Sequence, residues 1–395
     1  MSRSADRPGP AGPLRGVRVI ELAGLGPAPF GAMLLADLGA DVIRVDRPEG
    51  RAAGNPLDHR HDLLARGRRS VALDLKRPAA RDAVLRLVDG ADVLIEGFRP
   101  GVTERLGLGP DVCLERNPRL VYGRMTGWGQ HGPLASRAGH DINYIALAGG
   151  LDPIGHRDGP PVIPLNLVGD FGGGGMLLAF GVVAALLRAR ETGKGQVVDA
   201  SIVDGTALLT TILHGLRAQG SWVDRRESNL LDGGAHFYAV YECADGKYLS
   251  VGAIEPQFYH RLLDLLGLAD DPEFLAGHTD RAHWPKLRKR LADVFISRPR
   301  QYWLDLLGGT DTCVAPVLPI GEAVQHPHNR ARGTFVDVAG IVQPAPAPRF
   351  SEDQPTAPQP PPRPGEHGRA ILAEIGLTEE EIERALATGD RGASG

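Results

Sequence analysis

The sequence predicts an α/β protein in which a large domain built on a mostly parallel sheet is followed by a smaller α+β domain. Three observations lead there. Short β-branched runs alternate with helical patterns from Val17 onward. A strand-turn-strand signature opens a separate unit after residue 235. The chain of 395 residues also exceeds what one hydrophobic core usually organises.

The elements follow in order. The lead-in MSRSADRPGPAGPLRG has charge but no apolar core, and Pro and Gly interrupt it, so it reads as a disordered start and not a secretory signal. Then VRVIEL, AMLLADLG, DVIRV, SVALDL, AVLRLVDG, DVLIEGF and LVYGRM alternate strand and helix at the spacing of βαβ units. The apolar run from Phe171 to Leu187 opens with four glycines and is marginal in length for a bilayer, so it predicts a buried core helix, stopped by Gly193 and Gly195, and no membrane span. The strand QVVDASIV and one more apolar helix complete a large domain over residues 1–219. The polar, turn-rich stretch 220–235 reads as a linker. The small domain, 236–326, opens with the hairpin FYAVYECADGKYLSVGAI and continues with helical patterns over 257–268, 284–296 and 299–307. Residues 327–395 form a return arm, Pro-rich and extended over 343–364, that leads to the helix LTEEEIERALATG with Thr378 as its N-cap. This arm and helix are expected to pack on the large domain.

Composition narrows the function. Lys and Arg number 44 against 48 Asp and Glu, which leaves no field to attract nucleic acid. Cys113, Cys243 and Cys313 are odd in number and far apart, so neither a disulfide framework nor a zinc site is indicated, and a cytoplasmic setting fits. His326 and His328 have no acidic cluster beside them, so no metal is expected.

The turn GLGPAP, from Gly24 to Pro29, follows a strand and precedes a helix, as a dinucleotide fingerprint does. It lacks the third glycine, and its prolines remove N–H groups that a pyrophosphate needs, so it reads as a tight turn only. Basic residues gather near strand ends: Arg44 and Arg47, then Arg66, Arg68 and Arg69, then Lys76, Arg99 and Arg105. Ligands of open parallel sheets bind beyond the carboxyl ends of strands, so this cluster is a candidate for holding phosphates. The densest chemistry lies in AGHDINY around His140, PLNLVGDFGGGG around Asp170, and VGAIEP ending at Glu255. Each sets an ionisable side chain among small and apolar residues, where desolvation moves a pKa toward neutrality. Two of them also have a plain structural explanation, His140 as a buried histidine and Asp170 as the N-cap of the glycine-rich helix. If Asp170 caps that helix, free N–H groups at its start would form an oxyanion hole.

These segments, with FGAMLLADLGADVIRVDRP, DVLIEGFRPGVTERLGLGP, RMTGWGQHGP and GAIEPQFY, resemble the class III CoA-transferase superfamily, and within it the α-methylacyl-CoA racemase family. The resemblance covers nearly all of residues 12 to 350. It implies a Rossmann-like large domain that holds coenzyme A, an interlocked homodimer, and an active site completed by the partner's small domain. It implies that His140 and Asp170 are two bases on opposite faces of the substrate's α-carbon, that Glu255 supports the histidine across the dimer, and that Asn166 belongs to the same site. Arg47, Leu73, Asp74, Leu75, Lys76, Arg99, Arg105, Gly139, Asp141 and Tyr144 match the family's CoA contacts. CoA enters as part of the thioester substrate, and no separate cofactor is implied.

The implied reaction interconverts (2R)- and (2S)-2-methylacyl-CoA thioesters through an enolate. The rival within the superfamily is a CoA transferase, in which the aspartate at position 170 takes the acyl group as a mixed anhydride. That chemistry has no use for a histidine base, so His140 with Glu255 behind it favours the racemase.

Overall fold

The computed structural model describes residues 11–48 and 57–387, so most of the lead-in lies outside the described residues. The chain divides into two compact units. One holds the chain up to Ala148, Leu165–Leu209 and the chain from Gly333 on; the other holds Gly149–Pro164 and Thr210–Arg332. The second unit thus starts upstream of the stretch 220–235 and takes in an earlier excursion.

In the first unit β1 (Arg18–Leu22), β2 (Asp41–Asp46), β3 (Arg68–Ala72), β4 (Val93–Glu96), β5 (Val121–Thr126) and β6 (Gln196–Ser201) form one sheet in the order β3-β2-β1-β4-β5-β6. Every neighbouring pair is parallel. Side chains alternate between faces along a strand, and both faces are apolar because both are covered. Ile20, Leu22, Ile43, Val45 and Leu94 face a core completed by α2 (Pro78–Asp89). Val19, Val42, Val93 and Ile95 face α1 (Pro27–Asp37) and the helix Leu177–Thr192. In α2 the buried residues are Ala80, Ala83, Val84, Leu87 and Val88, a single stripe at helical spacing. The strand order reverses between β1 and β4. In such sheets that reversal opens a crevice beyond the carboxyl ends of the two strands.

Several arginines expected to await phosphates are buried in ion pairs instead. Arg68 meets Glu21 at 2.5 Å with both side chains fully buried, and it also donates to Pro29 O, which ties down the turn after β1. Arg44 meets Asp46 at 3.0 Å, and Arg66 meets Asp37 at 2.5 Å. Arg69 bridges Asp41 and Glu374. A buried guanidinium must be paired to be tolerated, and these carboxylates supply the pairing.

The apolar run after Gly169 also departs from expectation. Leu167–Met176 is π-helical, and the α-helix proper is Leu177–Thr192, stopped by Gly193 at a φ of 71°. Only one face is buried, through Leu178, Val182, Ala185, Leu186 and Ala189. Met176, Phe180 and Leu187 on the other are 56%, 73% and 64% exposed. A helix apolar all round does not reveal from sequence which face the chain itself covers. By length and composition alone, Leu167–Thr192 is the one helix among the described residues that could cross a membrane.

In the second unit β7 (Tyr238–Glu242), β8 (Tyr248–Gly252) and β9 (Val314–Val317) form an antiparallel sheet in that order. Its core gathers Phe237, Tyr259, Phe274, Trp284, Phe295 and Trp303. His236 is buried there, with Nε2 2.7 Å from the Tyr259 hydroxyl, which itself donates to Phe274 O. Burial holds the His236 imidazole neutral, its pKa pushed down to about 3.

The tail from Gly333 returns to the first unit. A hairpin, β10 (Phe335–Val338) with β11 (Ile341–Pro344), places Gln343 and the Pro344 carbonyl on Arg66 at 2.9 and 2.7 Å. The helix Gly368–Glu374 packs against the edge strand β3, where His367 N–H donates to Ser70 O and Gly365 N–H to Ser70 Oγ. Covering an edge strand this way removes a template for unwanted pairing. Thr378 caps the last helix, Glu379–Leu386, in a reciprocal capping box with Glu381.

Candidate active site

The crevice at the strand-order reversal is a cavity of about 940 Å³, lined from the first unit alone. The segment after β1 supplies Gly24, Gly26 and Pro27, and the segment after β4 supplies Gly97, Phe98 and Arg99. Arg47 follows β2, and Trp128 follows β5. Across from these lie Gly139, His140 and Tyr144, then Asn166, Asp170 and Phe171. Arg137 also reaches the wall. Arg47 and Arg99 are exposed, and they remain available to an anionic ligand where the buried arginines are not.

His140 is the N-cap residue of the helix Asp141–Leu147, with extended backbone geometry and an exposed side chain. Asn143 Oδ1 accepts the His140 N–H at 3.0 Å. Tyr144 packs edge-on against Trp128 with ring centroids 4.7 Å apart, and its hydroxyl donates to Gly139 O. Gly127 makes that packing possible, since a Cβ there would stand 2.0 Å from Tyr144 Cζ. Tyr144 therefore braces the turn that delivers His140.

Asp170 lies inside the π-helical segment and is not its N-cap; Asn166 occupies that position. The cap reading fails because the segment begins four residues earlier than the glycine run suggests. The oxyanion hole placed at that helix start fails with it, because the Gly169 and Asp170 N–H groups already donate to the Asp141 carboxylate, the latter at 2.6 Å. The Asp170 carboxyl is therefore not spent on capping that helix. Burial raises its pKa above the ordinary carboxylate value; a hydrogen bond from Asn166 Nδ2 at 3.3 Å opposes this, Asp141 adds to it, and His140 opposes it. Gly26, with a φ of 69°, faces this carboxyl, and a Cβ there would stand 3.2 Å from Asp170 Oδ2. The turn read as mere geometry therefore also makes room for Asp170.

Other expected contacts stand apart from the cavity wall. Leu73 is buried in the sheet core, Asp74 accepts from Lys76 N–H at 3.1 Å, and Leu75 packs at the edge of that core. Lys76 and Arg105 are exposed. Asp141 is buried, with its carboxylate Oδ1 committed to backbone. Glu255 belongs to the second unit, exposed at the start of the helix Pro256–Leu265. Trp128, Arg137, Phe171 and Gly26 were missed. The ring contact of Phe171 with Phe30, at 4.6 Å, has no signature in sequence. Among the described residues no group of three or more His, Cys, Asp or Glu side chains gathers as a metal would require.

A doubly wound sheet with an open crevice at its reversal point, walled by arginines, a histidine and a carboxyl of raised pKa, is suited to an anionic ligand. The chain belongs to CoA-transferase family III, whose model matches residues 14–368. It is 48% identical over 372 residues to the α-methylacyl-CoA racemase of Mus musculus, across 93% of this chain and 95% of that protein. It is 46% identical to the Homo sapiens protein of the same name, across 93% and 95%. A CAIB/BAIF family protein from Brucella suis has the same fold, with a TM-score of 0.80 and 29% identity over 92% of this chain and all of that one.

Proposed function

We infer that the chain is a racemase that interconverts the epimers of 2-methylacyl-CoA thioesters. The observation that carries this reading is a histidine and a carboxyl of raised pKa on the wall of one crevice. The hydrogen beside a thioester is weakly acidic, so its removal needs a placed base, and its return to the opposite face needs a placed acid. From one epimer neutral His140 accepts the proton while protonated Asp170 delivers its own; the other epimer uses the reverse pair. The raised pKa keeps Asp170 protonated to higher pH than an ordinary carboxylate, which suits both roles. Arg47 and Arg99 hold the CoA phosphates.

The active form is a homodimer in which Glu255 of one chain orients the His140 imidazole of the other. The exposed apolar face of Met176, Phe180 and Leu187 supports this, since a face of that kind is usually covered by protein or lipid. The test is incubation of a single epimer in deuterated water. Deuterium at the α-carbon together with loss of optical purity, without any added carboxylic acid, is the expected result. CoA transfer that depends on an acceptor acid, with no α-label, overturns the reading.

A further inference from the structure

His140 and Asp141 are chain neighbours, and Asp141 reaches the other base. Its Oδ1 accepts the Asp170 N–H at 2.6 Å, and the Gly169 N–H also interacts with the carboxyl. The residue is only 8% exposed, and Oδ2 is buried with no hydrogen-bond partner. Burying a half-satisfied carboxyl costs free energy, so stability alone does not account for it. The neighbouring segment is shaped to admit it. A Cβ at Gly169 would stand 2.2 Å from Asp141 Oδ1 and 2.8 Å from its Cγ, so any larger residue there would force the carboxylate aside.

We propose that Asp141 is a positioning residue that sets the separation of the two bases, its carboxylate clamping the backbone of Gly169 and Asp170 to the helix start that carries His140. The proposal rests on the racemase reading. Two groups that act on opposite faces of one carbon must each stay within reach of it, and a displacement of about 1 Å can cost on the order of 100-fold in rate. Exchange of the α-hydrogen with solvent needs only the base that removes it. Inversion needs both. A loosened clamp therefore depresses inversion more than exchange, whereas a general loss of structure depresses the two together.

Three variants separate these outcomes. Asp141→Ala removes the acceptor, Gly169→Ala drives the carboxylate away by its Cβ, and Asp141→Asn keeps an acceptor oxygen in place. With one epimer in deuterated water, Asp141→Ala and Gly169→Ala are expected to lower the ratio of inversion to exchange about tenfold or more, with KM within about threefold of the unmodified enzyme. Asp141→Asn is expected to restore the ratio to within about threefold of the unmodified value. An unchanged ratio, a proportionate loss of exchange and inversion, a raised KM with kcat kept, or an Asn variant as impaired as the Ala variant overturns the proposal. So does unfolding of both Ala variants by circular dichroism, which would mean that the contact serves the fold. If only Asp141→Ala unfolds, Gly169→Ala against Asp141→Asn decides. Absence of both exchange and inversion in the unmodified protein sinks the racemase reading itself, before any variant is made.

Discussion

The two ionisable groups on the cavity wall differ in how they are held. Asp170 is partly buried, with Asn166 its direct side-chain partner, while His140 sits exposed at a helix cap. His140→Ala and Asp170→Ala are each expected to reduce epimerisation by at least about 100-fold, as loss of a general acid or base does, with circular dichroism unchanged. Asn166 gives a finer test. Its hydrogen bond favours the ionised form of Asp170, so Asn166→Ala raises the Asp170 pKa further. The acid limb of kcat/KM, where a second proton joins the pair of bases, should therefore move to higher pH; a limb that stays put or moves down contradicts the assignment.

Among the secondary-structure elements, the buried pair of Asp37 at the end of α1 and Arg66 before β3 joins three parts of the first unit, because Arg66 also reaches Gln343 and Pro344 in the returning hairpin. Asp37→Ala leaves a buried guanidinium without its counter-charge and should cost about 3–5 kcal/mol, read from denaturant midpoints. In the second unit His236 gives an acid-sensitive point. Its folded pKa of about 3 lies below the ordinary imidazole value of 6.5, so the unfolded chain binds the proton first. Its contribution to stability is full above pH 6.5 and declines as pH falls from 6.5 toward 3. His236→Gln, which can still donate to Tyr259, should show a smaller drop in Tm between about pH 7 and 4.5 than the unmodified protein. The β1–β6 strands and the hairpin of β7 and β8 were legible in sequence, because β-branched runs and the Ala-Asp-Gly turn are local signals. β9 was not, since Pro316 sits within it, tolerated because that strand pairs on one side only. In the site, His140, Asp170, Asn166, Arg47 and Arg99 were legible through motif and strand-end position. The clamp of Asp141 and the brace of Tyr144 were not, because each depends on a distant glycine whose missing Cβ acquires meaning only once the chain is folded.

At the scale of the molecule the exposed face of the helix Leu177–Thr192 is where the proposed homodimer can be tested. Phe180→Asp sets a charge in the middle of that face. If a second chain covers it, analytical ultracentrifugation should show a shift from dimer to monomer together with loss of epimerisation; an unchanged dimer would place the interface elsewhere. The return of the tail to β3 bears on how the protein is made. Ser70 waits for His367, 297 residues further along the chain, before that edge of the sheet is closed. The ribosome therefore releases the first strands long before their last neighbour exists, and the second unit is synthesised in the interval. A growing chain with an open edge invites capture by chaperones or by its own siblings. Slowing translation should on this account lower the yield of soluble protein, and supplying the final segment early, by circular permutation, should raise it.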